Sequence, residues 1–187
     1  KYVSGLNIIR AFNPESGSGS AFEKKHSLPV WTDDYEKFLK GIDAVYIASP
    51  NETHYEYARK AVNAGKHVLC ENPIALNKQD AAELFLLAEK HDVVILEGIK
   101  TAYCPGFQQL INTARSGQIG EIRDIEACFT RLADPHAREC TDARYGGAFL
   151  EYAAYTLLPI FKLFGTNYKE VKFHSIYRDD GLDQYTK

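Results

Sequence analysis

The run from Gly41 to Pro73 constrains the fold more than any other part of this 187-residue chain. Ile42 to Ser49 is short, rich in β-branched and aromatic residues, and bounded by Gly41 and Pro50, which predicts a strand. Asn51 is placed to cap a following helix. Its apolar positions Tyr55, Ala58, Ala61 and Val62 recur at helical spacing until Gly65 stops it. His67-Val68-Leu69-Cys70 predicts a second strand, ending at Glu71-Asn72-Pro73. Strand, crossover helix and strand make a βαβ unit, which requires parallel pairing. In open parallel sheets the ligand crevice lies beyond the carboxyl ends of the strands. Ser49-Pro50-Asn51 and Glu71-Asn72-Pro73 are therefore two polar turns facing that crevice.

The same alternation extends in both directions. Leu6 to Phe12 predicts a strand ending at Asn13-Pro14, and Glu15 to Ser20 a polar surface loop. A helix is expected at Ala21 to His26 and a short strand at Pro29 to Trp31. Thr32 or Asp33 is expected to cap a helix through Tyr35, Phe38 and Leu39. Asn77 opens a longer helix with Ala81, Leu84, Phe85 and Ala88 on one face. Val93 to Leu96 is a continuous apolar strand, as in a parallel sheet covered on both faces. Strand and helix thus alternate to Leu96, which selects a doubly wound, parallel-sheet, Rossmann-like α/β domain over residues 1–100.

Beyond that point the period changes. Pro105 to Ala114 predicts a helix, and Gly120 to Phe129 alternates apolar with polar, as an antiparallel strand with one wet face does. Leu132 to Ala143 is polar and irregular, a loop expected over the site. Tyr145-Gly146-Gly147 leads into an apolar helix ending at Gly165, and Val171 to Tyr177 predicts another strand. Residues 101–187 therefore predict the start of an α+β domain with a largely antiparallel sheet. The Gly-rich phosphate turn and first strand of a dinucleotide fold are expected before Lys1, and further parts of the second domain after Lys187.

Bulk properties exclude several classes. A net charge of −3 without a basic block argues against nucleic acid and anionic membranes as partners. Cys70, Cys104, Cys128 and Cys140 are widely spaced and in no CxxC arrangement. That predicts neither a zinc site nor a disulfide framework, but free thiols in a reducing cytoplasm. No metal site is expected from the histidines either.

Taken together, Ser49-Pro50-Asn51 with His54, and Glu71-Asn72-Pro73 after the next strand, resemble the Gfo/Idh/MocA family of nicotinamide-dependent oxidoreductases. The resemblance implies NAD or NADP as cofactor and a sugar, cyclitol or similar polyol as substrate. It places Ser49, Pro50, Asn51, His54, Glu71 and Pro73 against the cofactor, with the bond before Pro73 often cis. It implies a homodimer or tetramer, because the family's open substrate-domain sheet usually packs on its copy. Where the family generally has a catalytic lysine, this chain has Asn72. An amide cannot carry positive charge or exchange a proton near neutral pH. Asn72 is then an orienting donor at the nicotinamide end.

Tyr145 to Tyr155 resembles the family's Gly-Gly helix, whose carboxylate positions substrate hydroxyls and whose residue four later is an acid/base or donor. Those positions are Glu151 and Tyr155, which share a helix face. Tyr155 donates a proton only if a cation lowers its pKa. Lys100 follows the last strand of the sheet and is the candidate to supply the cation that Asn72 lacks; the alternative is a solvated surface lysine. Tyr103 and His136 are further candidates for touching substrate. Asn13 ends the second strand of the expected fold, where a carboxylate favours NAD. An Asn there, with Lys24 and Lys25 downstream, leans toward tolerance of NADP, against a plain Asn-Pro turn. Two rivals to polyol oxidoreduction follow from Asn72: a non-catalytic dinucleotide-binding regulator, and an NAD(P)H reductase of a conjugated acceptor, like biliverdin reductase.

Overall fold

The computed structural model describes residues 4–15 and 30–187. Its centre is a parallel sheet of β3 (Ala44–Ile47), β4 (His67–Cys70) and β5 (Ile95–Glu97), in that order. Val45 lies opposite Val68, which lies opposite Ile95, and Cys70 lies opposite Glu97. The connections are α2 (Asn51–Asn63) and α3 (Lys78–Lys90). Successive right-handed crossovers in one direction put both helices on the same face. That face is the core: Val45, Ile47, Val68, Cys70 and Ile95 meet Ala58, Ala61, Val62, Leu84 and Ala88. Because strand side chains alternate, the intervening residues point away. Tyr46 and Leu69 are 60% and 41% exposed, and Leu96 is exposed as well. The expected cover on both faces is thus realised on one face of this sheet among the described residues.

The amino-terminal elements are shorter than their apolar runs. Of the expected strand from Leu6 to Phe12, only β1 (Ala11–Phe12) pairs, in parallel with β2 (Trp31–Thr32). Leu6 and Ile8 are exposed. The helix expected at Ala21 to His26 lies outside the described residues, as does Pro29 of the strand expected before Trp31. Helix α1 (Tyr35–Phe38) is capped by Asp34, whose carboxylate accepts from Lys37 N, rather than by Thr32 or Asp33. Thr32 Oγ1 accepts from Asp34 N and so shapes the entry. Arg10 donates to the carbonyls of Lys37, Phe38 and Lys40 at the end of α1.

The second half opens with α4 (Pro105–Arg115), as its periodicity predicts. The strand expected over Gly120 to Phe129 does not form: no described residue offers the segment a ladder. Helix α5 (Ala148–Phe164) follows and ends at Gly165, whose φ is 76°. The last strand is confined to β6 (Ser175–Tyr177), antiparallel to β7 (Asp183–Thr186). Among the described residues no helix is long and apolar enough to cross a membrane.

Candidate functional site

Three adjacent strands end in polar residues at one edge of the sheet. After β4 the Asn72–Pro73 peptide is cis. The turn it makes is gripped by Glu97 at the end of β5: Oε1 accepts from Asn72 Nδ2 at 2.8 Å and from Ile74 N at 2.9 Å. Glu97 carried no role in the sequence reading. The signal was its register, because the residue opposite Cys70 must lie beside Glu71 and Asn72. Glu71 turns the other way and accepts from the Tyr46 hydroxyl, which pushes the Tyr46 phenol up to about 12. Gly98 lets the strand ends close. A Cβ there would stand 3.1 Å from Glu71 Oε2 and 3.2 Å from the Cys70 carbonyl.

The turn after β3 does not use Asn51 as a cap. Pro50 is the N-cap and Asn51 the first helical residue of α2. Its side chain reaches the second half instead: Nδ2 donates to Glu151 Oε1 and to the Tyr145 carbonyl, each at 3.1 Å. His54, one turn further on, is only 1% exposed and contacts the Ser49 and Pro73 carbonyls. Ser49, Pro50, Asn51, His54, Glu71, Asn72 and Pro73 are therefore assembled at one edge.

Glu151 sits in the first turn of α5, at the positive end of the helix. Two glycines make that start possible. A Cβ on Gly146 would stand 2.3 Å from the Glu139 carbonyl, and one on Gly147 would stand 1.9 Å from Asp183 Oδ1. Gly147 also has φ of 101°, the left-handed side that favours glycine. Asp183, from β7, accepts from Phe149 N at 2.7 Å and satisfies an unpaired amide of α5. Burial raises the Glu151 carboxyl above its ordinary range, and the Asn51 hydrogen bond partly opposes that. A cavity of about 440 Å³ opens between Asn51, Glu52, Arg138, Asp142, Tyr145 and Glu151. Arg138 closes one side by an ion pair with Glu52, joining the loop to α2. Asp142 is held down to about 2 by Arg144.

Tyr155 is half-buried on the same helix, stacked with Phe129 at 5.7 Å between centroids. Its phenol is raised, first by burial and then by the charges of Glu71, Glu151 and Glu97. After Gly98 the chain turns into a 3-10 helix (Lys100–Tyr103) that leaves Lys100 exposed, with no ion pair or hydrogen bond to its ammonium among the described residues. Tyr103 is brought in: its hydroxyl donates to the Glu97 carbonyl at 3.1 Å. His136 is exposed and does not line the cavity, whereas Arg138 from the same loop does. Asn13 lies in the separate β1–β2 pair, where its side chain accepts from Glu15 N at 3.0 Å in an Asx turn.

A family described as an oxidoreductase family with an NAD-binding Rossmann fold matches residues 2–99. Scyllo-inositol 2-dehydrogenase (NADP(+)) IolU of Bacillus subtilis (strain 168) is 27% identical, over 97% of this chain and 57% of its own length. Trans-1,2-dihydrobenzene-1,2-diol dehydrogenase of Bos taurus is 30% identical, over 77% of this chain and 44% of its own. The crystal structure of the 3-ketoreductase KijD10 from Actinomadura kijaniata, in complex with TDP-benzene and NADP, superimposes with a TM-score of 0.78. It is 26% identical and covers 95% of this chain and 54% of that one. The chain spans about half the length of the curated relatives it matches.

Proposed function

This chain belongs to the Gfo/Idh/MocA oxidoreductase family, and on that premise we propose that it transfers a hydride between NAD or NADP and a hydroxyl or carbonyl carbon of a sugar, cyclitol or similar polyol. One observation carries the reading. The Asn51 amide joins the turn after β3 to the Glu151 carboxylate, so the nicotinamide edge and a hydroxyl-binding group adjoin. Ser49, Asn51, Glu71 and Asn72 offer the hydroxyl, amide and carboxylate groups that hydrogen-bond ribose and carboxamide, and they fit a dinucleotide. With Pro50, His54 and Pro73 they would hold it, and Asn13 would lie toward its adenosine end. When bound, the nicotinamide supplies or accepts the hydride.

The rest of the chemistry falls to the chain. Glu151 positions the substrate hydroxyl by accepting its hydrogen bond. Tyr155, with its phenol raised, stays protonated near neutral pH and donates a hydrogen bond to the substrate oxygen. Asn72 and Tyr103 orient through Glu97. Self-association as a homodimer or tetramer belongs to the same proposal, and light scattering on the full-length protein reads it.

The Asn72–Glu97 bond, at the position where the family generally has a lysine, favours one second reading. Reduction of an imine, enone or linear tetrapyrrole needs no lysine-assisted deprotonation of a hydroxyl. The test is turnover by the full-length protein of scyllo-inositol and a sugar series with NAD+ and NADP+, beside NAD(P)H oxidation by biliverdin. Reduced cofactor formed from any polyol supports the first reading. Oxidation by the conjugated acceptor alone selects the second, and cofactor binding without turnover of either marks a regulator.

A further inference from the structure

Asn72 stands where the family generally has a lysine, and Glu97 decides which end of its amide is free. Nδ2 lies 2.8 Å from Glu97 Oε1, and the same oxygen takes the Ile74 N–H at 2.9 Å. A carboxylate oxygen only accepts, so the amide must turn its nitrogen, and not its oxygen, toward Glu97. The amide is planar, which leaves Oδ1 on the arm turned away from Glu97. Among the described residues nothing donates to that oxygen. Glu97 is itself held in place. Its register sets it opposite Cys70, and its carbonyl accepts from the Tyr103 hydroxyl at 3.1 Å. Glu71, the other carboxylate beside the turn, is taken by Tyr46. Asn72 is half-buried just past the end of β4, on the side where the crevice of a parallel sheet opens.

We propose that Glu97 is a positioning residue that holds back the donor arm of Asn72, so that position 72 offers a bound ligand a hydrogen-bond acceptor where a lysine would offer a donor. The inference rests on the reading of this turn as cofactor-facing. It goes beyond that reading in fixing the polarity of the group there. The ligand atom set against Oδ1 must carry a hydrogen. A nicotinamide carboxamide nitrogen and a polyol hydroxyl both do, whereas a keto oxygen does not.

Exchanging the chemistry of the pair tests the polarity. Asn72→Asp keeps an acceptor toward the ligand but sets two carboxylates against each other. Adding Glu97→Gln puts a donor opposite the new carboxylate, while the new amide oxygen still accepts from Ile74 N. Asn72→Asp alone is expected to weaken NADH or NADPH binding to the full-length protein, or to raise KM for a polyol at saturating cofactor, by about tenfold. The double variant is expected to recover most of that loss. A change in cofactor binding identifies the carboxamide as the donor, and a change confined to KM identifies the hydroxyl. A purely structural role would return the melting temperature with the second substitution and leave binding behind. A double variant no better at binding than Asn72→Asp overturns the proposal, because the ligand then needs an N–H from position 72. Binding and KM unchanged in Asn72→Asp overturn it as well.

A second readout needs neither cofactor nor activity. In the wild-type protein the side-chain amide of Asn72, identified in the NMR spectrum by its loss in Asn72→Asp, is expected to exchange with solvent more slowly than that of the exposed Asn63. Glu97→Ala is expected to abolish the difference. Equal rates in the wild type overturn the proposal. Failure of the wild type to bind either cofactor counts against the functional reading alone, because the exchange rates still decide whether Glu97 holds the amide by its nitrogen.

Discussion

In the β3–β5 half, three parallel strands and two helices share one buried cluster, whereas α5 buries no residue fully and is held at its start by single contacts. The first half is fixed by repetition. Every second strand residue enters the core, and each fully buried Val or Leu contributes about 1.5–3 kcal/mol. The second half is fixed by specific meetings: Gly146 against Glu139, Asp183 on Phe149 N, Arg138 on Glu52 and Asn51 on Glu151. The candidate site lies where these two kinds of order meet. One wall is rigid because a sheet carries it. The other is placed by contacts that a single substitution removes.

Several substitutions sharpen or break that contrast. The largest effect is expected from Leu84→Ala. This side chain is fully buried in the first half, and its truncation should cost about 2–5 kcal/mol. Leu158→Ala, on the half-exposed α5, should cost about 1 kcal/mol or less if the contrast holds. Urea denaturation of both proteins gives the comparison, and equal losses would erase the distinction. Next is Asn51→Ala, which removes the amide that bridges the two walls. It should lower kcat/KM by about 10- to 100-fold, as expected for a bond to a charged group, with the melting temperature little changed. A fall in stability as large as that of Leu84→Ala would show that the bridge holds the fold instead.

Gly147→Ala should cost about 1–3 kcal/mol, because φ is 101° and the new methyl group would displace Asp183 from the start of α5. Hydrogen exchange should report the loss in the first turn of α5 and leave the β3–β5 core protected. The smallest effect concerns pH. The Glu151 carboxyl is raised in the folded state, so the folded protein holds that proton more tightly than the unfolded chain. Its favourable contribution is therefore present below the ordinary value of 4.5 and fades as pH rises through the folded value. Glu151→Gln should flatten this part of the stability profile, measured by thermal melts across the acid range. An unchanged profile would mean that burial of the carboxyl is not felt.

Much of the first wall was legible. Apolar runs bounded by Gly and Pro marked β3, β4 and β5, and helical spacing marked α2 and α3. The turns at Ser49-Pro50-Asn51 and Glu71-Asn72-Pro73 fall at their carboxyl ends, as the βαβ argument requires. Glu151 meets Asn51 of the turn after β3, and Tyr155 follows it on the same helix. Local chemistry failed where a polar residue had two offers. Asn51 had the composition of a cap, but a proline can serve as N-cap and the amide found a carboxylate 100 positions away. Thr32 and Asp33 lost the cap of α1 to Asp34 for a similar reason of geometry. Alternation from Gly120 to Phe129 suited a strand, yet pairing needs a second chain segment and none of the described residues supplies one.

By itself the sequence determined the order of strands and helices, the parallel sheet and the polar turns at its carboxyl edge. Those follow from periodicity and chain stereochemistry, which act over a few residues. Only the tertiary structure decided that Glu97 grips Asn72, that His54 spans two turns, and that Asn51 answers to Glu151. Such partners are chosen by distance in space, and residues far apart in the chain meet only after the core has set the strand ends side by side.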